Sequence, residues 1–372
     1  MKIVIFRTFG TKLDIGSYNC QEIGLAKALA SYGHKVSVVM AGDNHQQFQI
    51  PTPSGNVDIY TLPYIGTKGL SLFLGWKRLI TELSPDIIQI HDVENLMSNC
   101  VARYANNNIP CVMICGVHQA ARNPITHFAK RVFNNLIDIP TLKRIKYIGA
   151  KTQEAAIYAN KIHRTPTLIT PIGLDEDRFV PEESIDWRKK LSLCEDARLL
   201  LYVGRLNNDG RNPLFLLDIL KFLPEQYHLI YAGSGTLSQS IEDYAKSLQL
   251  QNRTHLVGKI TQKQLPSLYR SCEFALMPSV YEIYGMATIE AMYFGIPVIS
   301  TASAGAKSII SSGINGYIVN GFNHQEWASL IKNCSDSLRL EMGTNASNHI
   351  RESLTWSATA TKFIDLYNRA IK

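Results

Sequence analysis

Residues 278–297 read P-S-V-Y-E-I-Y-G-M-A-T-I-E-A-M-Y-F-G-I-P, and the fold is decided there. Phe274 to Met277, just before, is a short apolar strand that Pro278 and Ser279 end. A helix is expected to start near Gly285. It should stop at Gly295, a residue suited to the left-handed position after a helix, with Pro297 blocking any continuation. Met286, Ile289 and Met292 supply its apolar face, and Glu290 is expected off that face near the helix start. Glu282 falls in the preceding loop. A loop carboxylate and a helix carboxylate at the carboxyl end of a strand suit a polyhydroxylated ligand, while the amides of the helix start can accept an anion. Two glutamates at this spacing are weak alone. The strand, turn and helix around them carry the meaning.

Working outward, short apolar runs alternate with helical periodicity along the whole chain. Ile3–Phe6, Val36–Met40, Asp86–Ile90, Cys111–Val117 and Tyr147–Ala150 read as strands of a first sheet. Leu199–Val203, His228–Ala232, Thr254–Val257, Phe274–Met277 and Val298–Thr301 read as a second set. Near-continuous apolar strands separated by helices indicate parallel sheets covered on both faces. The expected class is therefore α/β, with two doubly wound Rossmann-like domains facing across a cleft. A ligand is expected between the carboxyl ends of both sheets. The boundary is expected in Thr165–Asp175, where two prolines and a glycine punctuate an apolar stretch. That gives domains at 1–168 and 169–356 and a terminal helix in 357–372, with Ala360, Phe363, Leu366 and Ala370 on one face.

Composition narrows the function. The 372 residues are 45% apolar and 19% charged, which describes two ordinary globular domains rather than a disordered chain. No run of eighteen apolar residues exists, so no membrane span is expected, and the first strand is too short for a signal peptide. Seven irregularly spaced cysteines, an odd number, suggest reduced thiols and a cytoplasmic protein. Residues 1–165 hold 18 Lys and Arg against 10 Asp and Glu, whereas the rest hold 20 against 21. A basic first half fits either a solvated face or a surface approaching anionic lipid or a phosphorylated acceptor. Basic residues are not interleaved with exposed aromatics, so nucleic acid is not an expected partner. Phe128–Ile137 mixes Phe128, Val132, Phe133 and Leu136 with Lys130 and Arg131. It reads as an amphipathic helix, either of the core or resting on a membrane surface.

The 278–297 segment resembles the E-x7-E signature of retaining glycosyltransferases of the GT-B architecture, in the large family numbered four. The similarity runs over nearly the whole chain and is stronger in its second half. The resemblance implies that Glu282 contacts the hydroxyls of the donor sugar and Glu290 those of the nucleotide ribose. Gly16-Ser17 falls where the family has a Gly-Gly pair whose amides approach the donor diphosphate, with serine as a departure. Arg205 matches the family's first phosphate-binding cation. Arg211 supplies the second, although Asn212 stands where a lysine is common. The amides near Tyr284, Gly285 and Met286 add donors, and Lys259-Ile260 occupies the loop whose backbone meets the base. His118 lies where a histidine stands near the transferred sugar and acceptor, while His91 reads as structural. Ala304-Gly305-Ala306-Lys307-Ser308 replaces the usual G-G-x-x-E, which makes donor assignment by analogy unsafe.

Cations fixed on the leaving diphosphate make a metal unnecessary, so no cofactor or metal is expected. Asp175-Glu176-Asp177 spells D-x-D but sits in a linker, not at a nucleotide site. The function implied is a retaining, metal-independent glycosyltransferase. It moves a sugar from a nucleotide-diphosphate-sugar, a UDP-sugar by preference, to a glycan or lipid-linked acceptor in bacterial surface polysaccharide synthesis. The implied location is cytoplasmic or peripheral at the cytoplasmic face of the inner membrane. Two rivals remain: a UDP-sugar 2-epimerase of the same architecture, and a non-catalytic nucleotide-sugar-binding subunit.

Overall fold

The computed structural model describes residues 1–12, 20–67, 69–105, 108–116 and 124–372, the side chains of 124–127 and 129 apart. The chain divides into two compact units. One comprises Met1–Gly173 with Trp356–Lys372, and the other Leu174–Thr355.

In the first unit the strands are β1 (Lys2–Phe6), β2 (Lys35–Ala41), β3 (Gln46–Thr52), β4 (Gly55–Leu62), β5 (Tyr64–Ile65), β6 (Leu72–Phe73), β7 (Ile87–His91), β8 (Cys111–Cys115), β9 (Tyr147–Ala150) and β10 (Thr167–Ile169). Among the described residues eight of them form one sheet, ordered β10-β9-β8-β7-β1-β2-β4-β3, and β5 pairs with β6 in a small ribbon. All pairings in the large sheet are parallel except β3 with β4. The hairpin was not expected from the pattern. β3 alternates exposed with half-buried residues and carries Pro51, as an edge strand can and an inner one cannot. β10 continues the sheet beside β9, so the chain leaves the first unit after Gly173 rather than at residue 168.

The helix Trp356–Ile371 belongs to this first unit. Its buried face holds Ala360, Phe363, Leu366, Tyr367 and Ala370. The Tyr367 hydroxyl donates to Gln89 Oε1 on β7 at 2.6 Å, which ties the end of the chain to the middle of the sheet.

The second unit contains β11 (Arg198–Val203), β12 (Tyr227–Ala232), β13 (Thr254–Gly258), β14 (Phe274–Met277), β15 (Val298–Thr301) and β16 (Gly316–Val319). They form an all-parallel sheet ordered β13-β12-β11-β14-β15-β16. The chain builds β11 to β13 in one direction and β14 to β16 in the other. The switch point therefore lies between β11 and β14, where open parallel sheets leave a crevice at their carboxyl ends. In the first unit the corresponding point lies between β1 and β7.

Candidate active site at the switch point of the second sheet

The loop after β11 and the loop after β14 are tied together by a hydrogen bond from the Val280 amide to the Gly210 carbonyl, 2.7 Å. This brings residues 71 apart in sequence into one cluster. Arg211 Nη1 lies 3.3 Å from Glu282 Oε2, and its Nε lies 3.6 Å from Asp209 Oδ2. Arg205 Nη2 pairs with the same Asp209 oxygen at 2.9 Å. Asp209 was not singled out in the sequence, yet it holds both guanidiniums. Arg205 is the most exposed of the four, whereas Arg211, Glu282 and Asp209 are each about two-thirds covered or more. The Tyr202 hydroxyl donates to the Arg205 carbonyl at 3.0 Å, fixing that loop from beneath. Burial pushes the Tyr202 phenol up to about 12, so it stays protonated and donating.

The helix Met286–Tyr293 starts just beyond Glu282, as the sequence suggests. Gly285 precedes it with φ +91°, a conformation that a side chain would strain. Its carbonyl accepts from the Thr288 and Ile289 amides at 3.0 and 3.2 Å. The Met286 and Ala287 amides, at the very start, have no intrahelical carbonyl to meet. Met286 is half-buried and Tyr284 is buried. Gly305 donates its amide to the Glu282 carbonyl at 3.2 Å, and a methyl group built there would overlap the Tyr284 carbonyl. Glycine survives at this one place in the departed G-G-x-x-E motif because backbone meets backbone.

Glu290 is placed differently from the sequence expectation. It is buried, not off the packed face, and its Oε2 accepts from the Tyr269 hydroxyl at 3.0 Å. Tyr269 comes from the helix Leu265–Ser271, which precedes β14. A tyrosine 21 positions upstream gives no signal in a linear motif; only the packing of two helices reveals it. Lys259 and Ile260 follow β13, which β12 and β11 separate from β14, with Lys259 exposed and Ile260 half-buried. Two residues of the D-x-D run have partners within the protein: Asp175 pairs with Arg178 at 3.2 Å, and Glu176 accepts from the distant Tyr293 at 2.8 Å. Among the described residues no group of three or more His, Cys, Asp and Glu side chains gathers as a metal site would.

In the first unit a second polar group lies at the β1/β7 switch point. His91 closes β7 and is buried; its Nε2 lies 3.1 Å from Gln89 Nε2 and its Nδ1 3.8 Å from Glu22 Oε1. Tyr367 holds the Gln89 carbonyl oxygen, so the Gln89 amide nitrogen faces the ring and donates to Nε2. That leaves Nδ1 to carry the proton, directed at Glu22. Burial lowers the His91 pKa, in keeping with a neutral ring. Arg7, at the end of the neighbouring β1, lies 3.9 Å from Glu22 and donates to the Thr11 carbonyl at 2.8 Å. Gly16, Ser17 and His118 lie outside the described residues.

Fold and site together define a class. Sucrose-phosphate synthase from Thermosynechococcus elongatus superposes with a TM-score of 0.76 at 19% identity, covering 99% of this chain and 98% of that one. HepE of Anabaena, solved with UDP-glucose, gives a TM-score of 0.69 at 17% identity, covering 99% of both chains. The fold is GT-B. A family model described as "Glycosyl transferases group 1" matches residues 183–349.

Curated relatives agree. The chain is 27% identical over 215 residues to a D-inositol 3-phosphate glycosyltransferase of Geodermatophilus obscurus, 55% of this chain and 47% of that protein. A like-named protein of Stackebrandtia nassauensis is 22% identical over 96% of this chain and 88% of its own length. The chain spans about half the length of the first curated relatives it matches.

Proposed function

We propose that this protein is a retaining, metal-independent glycosyltransferase that uses a nucleotide-diphosphate-sugar, a UDP-sugar by preference, and a glycan or lipid-linked acceptor. One observation carries the reading. Arg211 and Glu282 meet at 3.3 Å at the β11/β14 switch point, so a phosphate-binding cation and a carboxylate suited to sugar hydroxyls share one site. The neighbouring HepE is described in complex with UDP-glucose, which supports the choice of donor.

In this reading Arg205 and Arg211 hold the diphosphate, and the first-turn amides beyond Gly285 add neutral donors. Breaking the glycosyl–phosphate bond makes the sugar oxocarbenium-like and builds charge on the leaving diphosphate. Fixed donors there lower the barrier, each by roughly 3–4 kcal/mol. Asp209 neutralises the two guanidiniums until the diphosphate replaces it. Glu282 orients the sugar through its hydroxyls. The departing phosphate takes the acceptor's proton on the same face, so configuration is retained and no strong protein base is required. Glu290, held by Tyr269, binds the ribose hydroxyls. Lys259-Ile260 meets the base.

The test combines binding and turnover. A thermal-shift screen against UDP-, GDP- and dTDP-sugars should raise the melting temperature with the cognate base, because a ligand selective for the native state stabilises it. With a glycan or lipid-linked acceptor, free UDP should then accumulate together with a glycosylated product. A new sugar nucleotide without free UDP identifies an epimerase instead. Donor binding without UDP release under any acceptor identifies a binding subunit.

A further inference from the structure

The outer strands of the first sheet are apolar on one face and polar on the other. β2 and β4 turn Val36, Val38, Val57 and Ile59 to one face, all fully buried. To the opposite face they turn Ser37, Asp58 and Tyr60. There Ser37 lies beside Val4 of β1, and Asp58 and Tyr60 lie beside Gln49 and Gln47 of β3. A cavity of about 350 Å³ opens over this polar side, walled by Leu79, Glu82 and Leu83 of the helix Trp76–Leu83. That volume falls at the lower end of the roughly 300–1,000 Å³ typical of small-molecule sites. Two features of the cavity call for a ligand. Ser37 is 4% exposed and Tyr60 8%, and both line it. Among the described residues neither hydroxyl gives its proton to a protein group; Tyr60 only accepts, from Gln47 Nε2 at 3.1 Å. Buried hydroxyls ordinarily have a partner. Burial, with Asp58 and Glu82 nearby, raises the Tyr60 pKa, so the phenol keeps a proton to donate. The second feature is charge. Lys2 and Lys35 start β1 and β2 as direct cross-strand partners, and both line the cavity. Among the described residues neither forms an ion pair, whereas Glu82 is taken by Arg78 at 2.7 Å and Asp58 by Gln49 at 2.7 Å. Like charges side by side in a sheet repel unless an anion joins them.

We propose that this cavity binds an acidic sugar, a pyranose that carries a carboxylate or a phosphate. The acid group sits between Lys2 and Lys35, where charge-assisted hydrogen bonds are strongest. Ring oxygens accept from Ser37 and Tyr60, and the C–H face of the ring lies against Val4, Leu79 and Leu83. Lys2 and Lys35 are the first residues of their strands, so the site lies towards the amino ends of the sheet. The crevice at the β1/β7 switch point is at the carboxyl ends. The cavity is thus a second site, and the inference goes beyond the donor chemistry proposed above.

The full chain is titrated with methyl glucuronide, methyl glucoside 6-phosphate and methyl glucoside, followed by saturation-transfer NMR. At least one acidic sugar should bind about fivefold or more tightly than methyl glucoside, and which of the two does so identifies the acid group. Ser37→Ala with Tyr60→Phe should weaken that binding about fivefold or more. Lys2→Met with Lys35→Met should bring it down to the level of methyl glucoside; both lysines are exposed, so this pair leaves the fold intact. UDP-sugar titration should stay as in wild type in both double variants, so a failure here is distinct from a failure of the donor reading. Saturation transfer to none of the three sugars overturns the proposal, as does equal affinity for all three. Wild-type affinity in both double variants overturns it too. So does inorganic phosphate that binds as tightly as the sugar phosphate, which would make the lysines a bare anion site.

Discussion

Tyr269 donates its hydroxyl to Glu290 across 3.0 Å, and both side chains are buried. Burial and the neighbouring carboxylate raise the phenol's pKa well above its ordinary value, so the tyrosine stays a donor at any working pH. The carboxylate of the second signature glutamate is therefore oriented before a ligand arrives. Its partner comes from the helix before the signature strand, outside the motif that draws attention to Glu290.

Tyr269→Phe removes that donor and leaves a buried carboxylate oxygen short of one bond. The expected cost is about 1–3 kcal/mol of stability, with weaker donor binding. Glu290→Ala should show both effects more strongly. Glu282→Ala, at the half-buried loop position, should abolish transfer with little change in melting temperature. Denaturation midpoints measured beside donor titrations separate the two glutamates. Equal loss of stability in both variants contradicts the distinction.

Asp209 pairs with both Arg205 and Arg211, and in the proposed function it is the counter-ion that the donor diphosphate displaces. Asp209→Asn should therefore tighten UDP binding several-fold at low salt, and that gain should shrink as salt rises. Arg211→Ala should lower kcat by about two to three orders of magnitude. UDP affinity measured against ionic strength is the check. Weaker UDP binding in Asp209→Asn would show that orienting the arginines matters more than neutralising them.

His228 and His255 face each other across β12 and β13, Nδ1 to Nε2 at 3.1 Å. Burial first, and then the partner ring, lowers the His255 pKa from 6.5 to about 4. The unfolded chain thus takes up a proton that the folded chain refuses between those values. Stability from this group is complete above pH 6.5 and is lost as pH falls towards 4. Replacing His255 with glutamine should flatten that part of the profile. Urea midpoints from pH 7.5 to 4 measure it, and an unchanged slope in the variant counts against the assignment.

Gly305→Ala drives a methyl group into the Tyr284 carbonyl. The loop 282–285 and the helix Ala304–Ile309 have to separate, so donor affinity should fall at least tenfold, at a cost of roughly 1–3 kcal/mol in stability. Ala304→Gly, which restores only the first glycine of the common motif, adds no such clash and is expected to keep near-wild-type binding. Parallel titrations of the two variants decide between a steric role and a loose loop.

Much of this was legible in the linear chain, and the physical reasons are specific. Apolar runs such as Tyr147–Ala150, Phe274–Met277 and Val298–Thr301 coincide with the observed strands because strands buried on both faces need little else. The helix Met286–Tyr293 and its left-handed Gly295 follow from backbone requirements that few residues satisfy. The β3–β4 hairpin escaped because an edge strand with solvent on one side lacks a continuous apolar run. β10 was hidden by its three-residue length and by Pro166 just before it. In the site, Arg205, Arg211 and Glu282 were visible as charges at strand ends. Asp209 and Tyr269 were not, since each acts through a residue that only the fold brings near.

The account rests on one grip, in which Arg211 and Glu282 hold a diphosphate and its sugar together. Calorimetric titration of a UDP-sugar into wild type, Arg211→Ala and Glu282→Ala, with UDP as reference, tests it most directly. Arg211→Ala should weaken both ligands at least tenfold, and Glu282→Ala should weaken the UDP-sugar while leaving UDP nearly unchanged. Wild-type affinity for the UDP-sugar in both variants contradicts the account.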